Sequence, residues 1–181
     1  MNINLTKILL AAIMLVSTAT ASMAFDWVTF RSEPGRFSVL MPGPGDPKLD
    51  TSTTSQSPAG PYTTYMYTQP SDKGMFLVGW VDYAPTFNFN TQKELDANRD
   101  NFIKGLKGSR LVSERPVTYG TSQGREFIAE TDAVVVKSRV YIIGRRPYML
   151  IAATRKGLDD SLNVERFLAS FKISRPAHAT R

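Results

Sequence analysis

The run Met75-Phe76-Leu77-Val78-Gly79-Trp80-Val81-Asp82-Tyr83 places the strongest constraint on how this chain can fold. As a strand it points Phe76, Val78 and Trp80 to one side and Leu77, Val81 and Tyr83 to the other. A strand with large apolar groups on both faces belongs inside a sheet that is covered from both sides. The remaining chain must therefore supply further strands and two covering layers.

Candidate strands recur at hairpin-like spacing. Asp26–Phe30 and Arg36–Met41 flank the turn Glu33-Pro34-Gly35 and predict an opening hairpin. Tyr62–Gln69 joins Met75–Tyr83 through Pro70-Ser71-Asp72-Lys73-Gly74. Further strands are predicted at Arg110–Tyr119, Gly124–Thr131, Val134–Ile143 and Tyr148–Thr154. Pro116 confines the first of these four to a sheet edge or a bulge, because proline has no N–H for a ladder. A turn at Thr131-Asp132 would pair Phe127 with Val136 in the core and Glu126 with Lys137 at the surface. Between residues 42 and 61, Pro42, Pro44, Pro47, Pro58 and Pro61 stand among Gly, Ser and Thr, and the segment reads as a long, mobile loop.

Two segments carry helical periodicity. Thr91-Gln92-Lys93-Glu94 matches a capping box, followed by Leu95, Phe102, Ile103 and Leu106 on one face, with Gly105 or Gly108 ending the element. The second runs from about Asp159 to Phe171, with Leu162, Phe167, Leu168 and Phe171 apolar and the paired aspartates at its N-terminus. Strands, helix, strands, helix give an α+β fold: a mostly antiparallel sheet with two amphipathic helices packed on its faces.

The first 24 residues read as a cleaved signal peptide. Lys7 precedes an uncharged apolar run from Ile8 through Val16, and Ser22 and Ala24 then form a small-x-small pair that fits cleavage before Phe25, with Ala19 and Ala21 as a second choice. Ser17, Thr18, Thr20 and Ser22 interrupt the run well before the ~20 residues of a membrane span. The expected organisation is a leader at 1–24, one domain at 25–174 and a flexible tail at 175–181. The mature chain is then a soluble protein of the periplasm or the medium, without a transmembrane segment. With no cysteine, it has no disulfide, thiolate chemistry or cysteine-ligated metal, and its core alone must hold it together.

Charge is unevenly spread. Losing Lys7 with the leader leaves 21 basic and 16 acidic residues, a net +5; residues 25–98 carry −3 and residues 99–181 carry +8. An anionic partner would meet the second half, at Lys137, Arg139, Arg145, Arg146, Arg155 and Lys156. The hairpin spreads these over its two ends as two half-patches, with Arg145 and Arg146 at a turn where little packing is expected. Phospholipid headgroups, lipopolysaccharide or an acidic envelope protein suit an exported chain; nucleic acid does not. The same surplus also serves solubility.

Catalytic groups are scarce. His178 is the only histidine and stands in the tail stretch Pro176-Ala177-His178-Ala179, where nothing would orient an imidazole for a triad or a metal. Helix capping accounts for Asp159 and Asp160. No helix follows Pro42-Gly43-Pro44-Gly45, so this run lacks the dipole of a phosphate loop. Serines and lysines are plentiful but no spacing singles out a pair. Tyr62, Tyr65, Tyr67, Tyr83, Phe87 and Phe89 either pack the sheet or form an aromatic rim for an apolar or glycan ligand. No cofactor, metal or catalytic residue is expected.

The run Phe37-Ser38-Val39-Leu40-Met41-Pro42 after a short strand and turn, the central helix, and the closing Phe167-Leu168-Ala169-Ser170-Phe171 together resemble the PsbP-like domains of exported bacterial proteins. The resemblance covers most of the mature chain. It implies an accessory or binding role: plant PsbP is an accessory subunit at the lumenal face of photosystem II, and the family brings no shared catalytic residues. The lipid-anchor cysteine of many bacterial relatives is missing. Three readings follow: an accessory or binding protein of the envelope, a carboxylate- or serine-based hydrolase, and a peripheral binder of anionic membrane.

Overall fold

The structure is a computed structural model that describes residues 26–43 and 47–174. The expected leader, the tail with His178, and Pro44 and Gly45 lie outside these residues. Among the described residues ten strands and two helices follow one another as β1 (Trp27–Ser32), β2 (Phe37–Pro42), β3 (Lys48–Ser57), β4 (Gly60–Pro70), β5 (Gly74–Tyr83), α1 (Thr91–Gly105), β6 (Arg110–Tyr119), β7 (Ser122–Glu130), β8 (Val134–Ile143), β9 (Arg146–Arg155), α2 (Ser161–Ala169) and β10 (Lys172–Ile173). A seven-stranded sheet has the order β3-β4-β5-β9-β8-β7-β6, and a three-stranded one the order β1-β2-β10. The neighbouring strands in both sheets run antiparallel, and the fold is α+β.

β5 sits inside the large sheet and is buried on both faces through Val81, as its sequence demands. On one face Leu77 and Val81 join Phe127, Val136, Val140 and Ile151 beneath Leu95, Phe102 and Leu106 of the α1 region. On the other, Phe76, Val78, Trp80 and Leu150 meet Val164, Phe167 and Leu168 of α2 and Phe37, Val39 and Met41 of β2. The second covering layer is thus a helix together with a small sheet. Burying these two apolar faces is the main force that holds a chain without disulfides.

Four expectations are corrected. The proline-rich stretch is not a loop throughout, since β3 pairs with β4 from Lys48 to Ser57. Its threonines and serines suit an edge strand, where Thr54 and Thr63 hydroxyls bond across the ladder at 2.9 Å. The α1 cap is Asn90 rather than Thr91: the Asn90 side chain accepts from Lys93 N at 2.9 Å, and the Glu94 carboxylate accepts from the Tyr83 hydroxyl instead of turning back to the helix end. At α2, Asp160 occupies the cap position without a side-chain cap bond, and Asp159 Oδ1 accepts from Ser161 N at 2.9 Å. The β7–β8 register is offset by two residues: Phe127 faces Ser138 and Glu126 faces Arg139. Because the offset is even, each side chain stays on the expected side of the sheet and Val136 remains buried, but the side expected to face solvent does not do so at Glu126, which is buried beneath Arg139, Arg115 and Lys137.

Candidate functional site

α2 and the small sheet cover only part of their face of the large sheet. Glu165 on the flank of α2 reaches Lys137 and Arg139 of β8, and beyond them the same face of β7 and β6 presents Glu126, Ile128, Ser113 and Arg115. These residues share the face because they alternate along each strand and pair across it: Arg115 with Glu126, Glu126 with Arg139, Ser113 with Ile128, Ile128 with Lys137. A half-open pocket of about 290 Å³, lined by Ser113, Glu114, Arg115, Glu126, Phe127, Ile128 and Lys137, lies between β6 and β8.

Glu126 anchors the pocket. It is 4% exposed, yet it carries a charge, because both of its oxygens are occupied. Arg115 approaches Oε1 with Nε at 2.9 Å and Nη2 at 2.8 Å. Arg139 brings Nε to Oε2 at 2.7 Å and adds Nη2, while Lys137 Nζ stands 3.5 Å from Oε1. Burial alone would push the Glu126 carboxyl up, but the two guanidinium forks and the nearby ammonium outweigh it and hold the group below the ordinary carboxylate value. The same balance works on Arg139, where burial would lower the guanidinium and Glu126 raises it by more. A carboxylate clamped in this way is a poor proton acceptor. It is well made for fixing three cations around one groove.

The six basic residues singled out from sequence divide into separate groups. Lys137 and Arg139 share the Glu126 cluster. Arg145 donates from Nη2 to Phe87 O at 2.9 Å, and its guanidinium lies 5.5 Å over the Phe89 ring. Arg146 pairs with Asp82 at 2.6 Å and donates to Pro34 O at 3.1 Å. Both residues therefore brace neighbouring loops, contrary to the expectation that turn residues there carry little packing. Arg155 is exposed at the other end of the β8–β9 hairpin, where Lys156 Nζ lies 3.5 Å from Glu130.

Arg115 was missed by the sequence reading, although a signal was present. A two-residue turn at Gly120-Thr121, with Gly120 at φ 58°, sets Tyr119 opposite Ser122 and so Arg115 opposite Glu126. The aromatic residues mostly pack. Tyr65 stacks on Trp80 with centroids 4.4 Å apart, Tyr67 lies 4.7 Å from Phe30, and Tyr83 lies 4.1 Å from Phe87. Burial, and then the Glu94 carboxylate, push the Tyr83 hydroxyl well above the ordinary phenol value. Among the described residues no group of three or more His, Cys, Asp or Glu could hold a metal ion.

No family model matches the chain, and no curated protein matches it in sequence. Among solved structures it is similar to PA94 of Pseudomonas aeruginosa, a protein of unknown function, with a TM-score of 0.37 and 9% identity over 72% of this chain and 83% of that one. It is also similar to the cyanobacterial PsbP, CyanoP, of Synechocystis sp. PCC 6803, with a TM-score of 0.46 and 8% identity over 87% of this chain and 98% of the other. Likenesses this loose carry no functional inference.

Proposed function

We propose that this chain is an exported, non-catalytic accessory protein of the bacterial cell envelope, with a PsbP-like domain that binds a partner through the basic groove beside α2. The Glu126 cluster carries this reading. Its two oxygens pair with Arg115 at the pocket and with Arg139 behind it, which sets cations around the opening before a partner arrives and lowers the ordering cost of binding. The leader pattern from Lys7 to Ala24 supports export. The PsbP-like resemblance rests on the packing motifs around Phe37–Pro42 and Phe167–Phe171.

One observation favours the anionic-membrane reading as second. Leu162 is 86% exposed on α2, and Leu158 is exposed in the loop that follows Arg155 and Lys156. Asp159 is exposed between the two leucines and opposes an anionic surface, while Asp160 is buried against Lys73.

Intact mass of protein recovered from the extracytoplasmic fraction, with identification of what co-purifies from the envelope, tests the proposal. A mature chain beginning at Phe25 and bound to a discrete protein is the expected result. A chain that retains Met1 and sediments with membranes would overturn it, and flotation with anionic vesicles in place of a protein partner would favour the second reading.

A further inference from the structure

We propose that Lys137 and Arg139 form a carboxylate site that Glu165 fills in the free protein, and that an acidic segment of a partner protein takes this site by displacing Glu165. The inference rests on the binding role proposed above and names the chemistry of its ligand.

The two glutamates of the cluster differ in kind. Glu126 is buried and receives both guanidinium forks, so it is a fixed countercharge. Glu165 is 52% exposed at the end of a side chain that leans off α2; it pairs with Lys137, while Arg139 Nη2 stands 3.6 Å away. Only the glutamate end of this pair is open to water, and exchanging its carboxylate for a partner's keeps both cations matched, so a competing carboxylate displaces it at little cost. The cations need some acceptor there. Arg115, Lys137 and Arg139 exceed Glu126 by two charges, and the Lys137 and Arg139 side chains are only 22% and 11% exposed. Charges this far out of water must be matched.

The pocket provides the way in. It runs from Lys137 across Ile128 to Ser113 and Arg115 on β6, the outermost strand of the sheet. At about 290 Å³ it lies just below the ~300–1,000 Å³ of small-molecule sites, a size suited to one side chain rather than a cofactor. Ile128 offers apolar contact to the methylenes of a glutamate, and the Ser113 hydroxyl lines the same wall. An entering segment cannot simply extend the sheet. Pro116 has no N–H, and the β6–β7 ladder is irregular between Leu111 and Ser113, so side chains rather than an added ladder do the reading.

Carboxylate fits better than phosphate. Phosphate is held best by guanidinium forks, and both forks here are committed to Glu126, which leaves the Lys137 ammonium and single N–H groups. A narrow groove across β6, β7 and β8 also suits a peptide side chain better than a flat lipid surface.

NMR titration of the mature domain at low ionic strength, with hexaglutamate as the probe and inorganic phosphate and anionic vesicles as comparison arms, tests the proposal. Saturable shifts at Ser113, Ile128 and Lys137 are expected with hexaglutamate. Glu165→Gln removes the internal competitor and is expected to tighten binding about two- to fivefold, the equivalent of an exposed ion pair. Lys137→Met should weaken binding at least tenfold, and Arg155→Glu should leave these local shifts in place. Glu165→Gln lies on an exposed flank, so this variant decides the question even if Lys137→Met fails to fold. Unchanged or weaker binding in Glu165→Gln, shifts centred elsewhere, or tighter binding of phosphate or vesicles would overturn the proposal. An envelope protein that co-purifies equally with wild type and Lys137→Met would remove this site and leave the accessory role standing; an uncleaved, membrane-bound chain would remove the role itself.

Discussion

Glu126 is the residue on which the candidate site depends, and its behaviour in acid is a consequence of its surroundings. Its folded carboxyl lies below its unfolded value, so its contribution to stability is full above about pH 4.3 and is lost as pH falls through the folded value. Glu126→Gln should therefore cost about 2–4 kcal/mol at neutral pH, with Arg139 retaining Glu165 as a partner. The gap from wild type should narrow as pH falls below 4; urea melts at several pH values measure both. The caps give a sharper contrast. Asn90→Ala is expected to cost about 1 kcal/mol and Thr91→Ala only a few tenths, the reverse of what a capping box at Thr91 predicts. Gly79 is a third case, since an added Cβ would strike Tyr65 O and lie 3.0 Å from Met66 Sδ, so Gly79→Ala should lower stability by about 1–3 kcal/mol.

At the scale of elements, strands with strong alternation were legible and those without were not. Val134–Ile143 and Arg110–Tyr119 agree with the sequence reading to the residue, and of the edge or bulge that Pro116 allows, β6 takes the edge. β3 was hidden because its prolines lie at or beyond its ends while Ser and Thr fill it, a composition that a loop shares with a polar edge strand. β10 spans two residues and is defined by pairing with β2, which no local pattern announces. The register error at Glu126 came from the turn. Asp132-Ala133, rather than Thr131-Asp132, closes the hairpin, with Thr131 N bonded to Val134 O at 2.9 Å and Thr131 Oγ1 accepting from Ala133 N and Val134 N. Parity survived, so the faces were legible while the partners were not. The cluster could not be seen whole, because Arg115, Glu126, Lys137 and Glu165 come from four elements. Thr131→Val removes the acceptor that ties this turn and should cost about 1 kcal/mol by thermal melting.

For the whole molecule, two independent apolar faces imply that neither covering layer is dispensable. Phe167→Ala on the α2 face and Phe102→Ala on the α1 face should each cost about 3–5 kcal/mol, and their effects should add, because the large sheet separates them. Within this scaffold, the groove beside α2 is where a partner is expected. A photo-reactive residue at Ser113 in the groove, compared with one at Thr54 on the opposite edge strand, reports directly whether it is. In intact cells, Ser113 should yield one discrete protein adduct and Thr54 none, with the adduct increased by Glu165→Gln and reduced by Lys137→Met. Equal adducts from both edges, or an adduct at Ser113 indifferent to both substitutions, would contradict it.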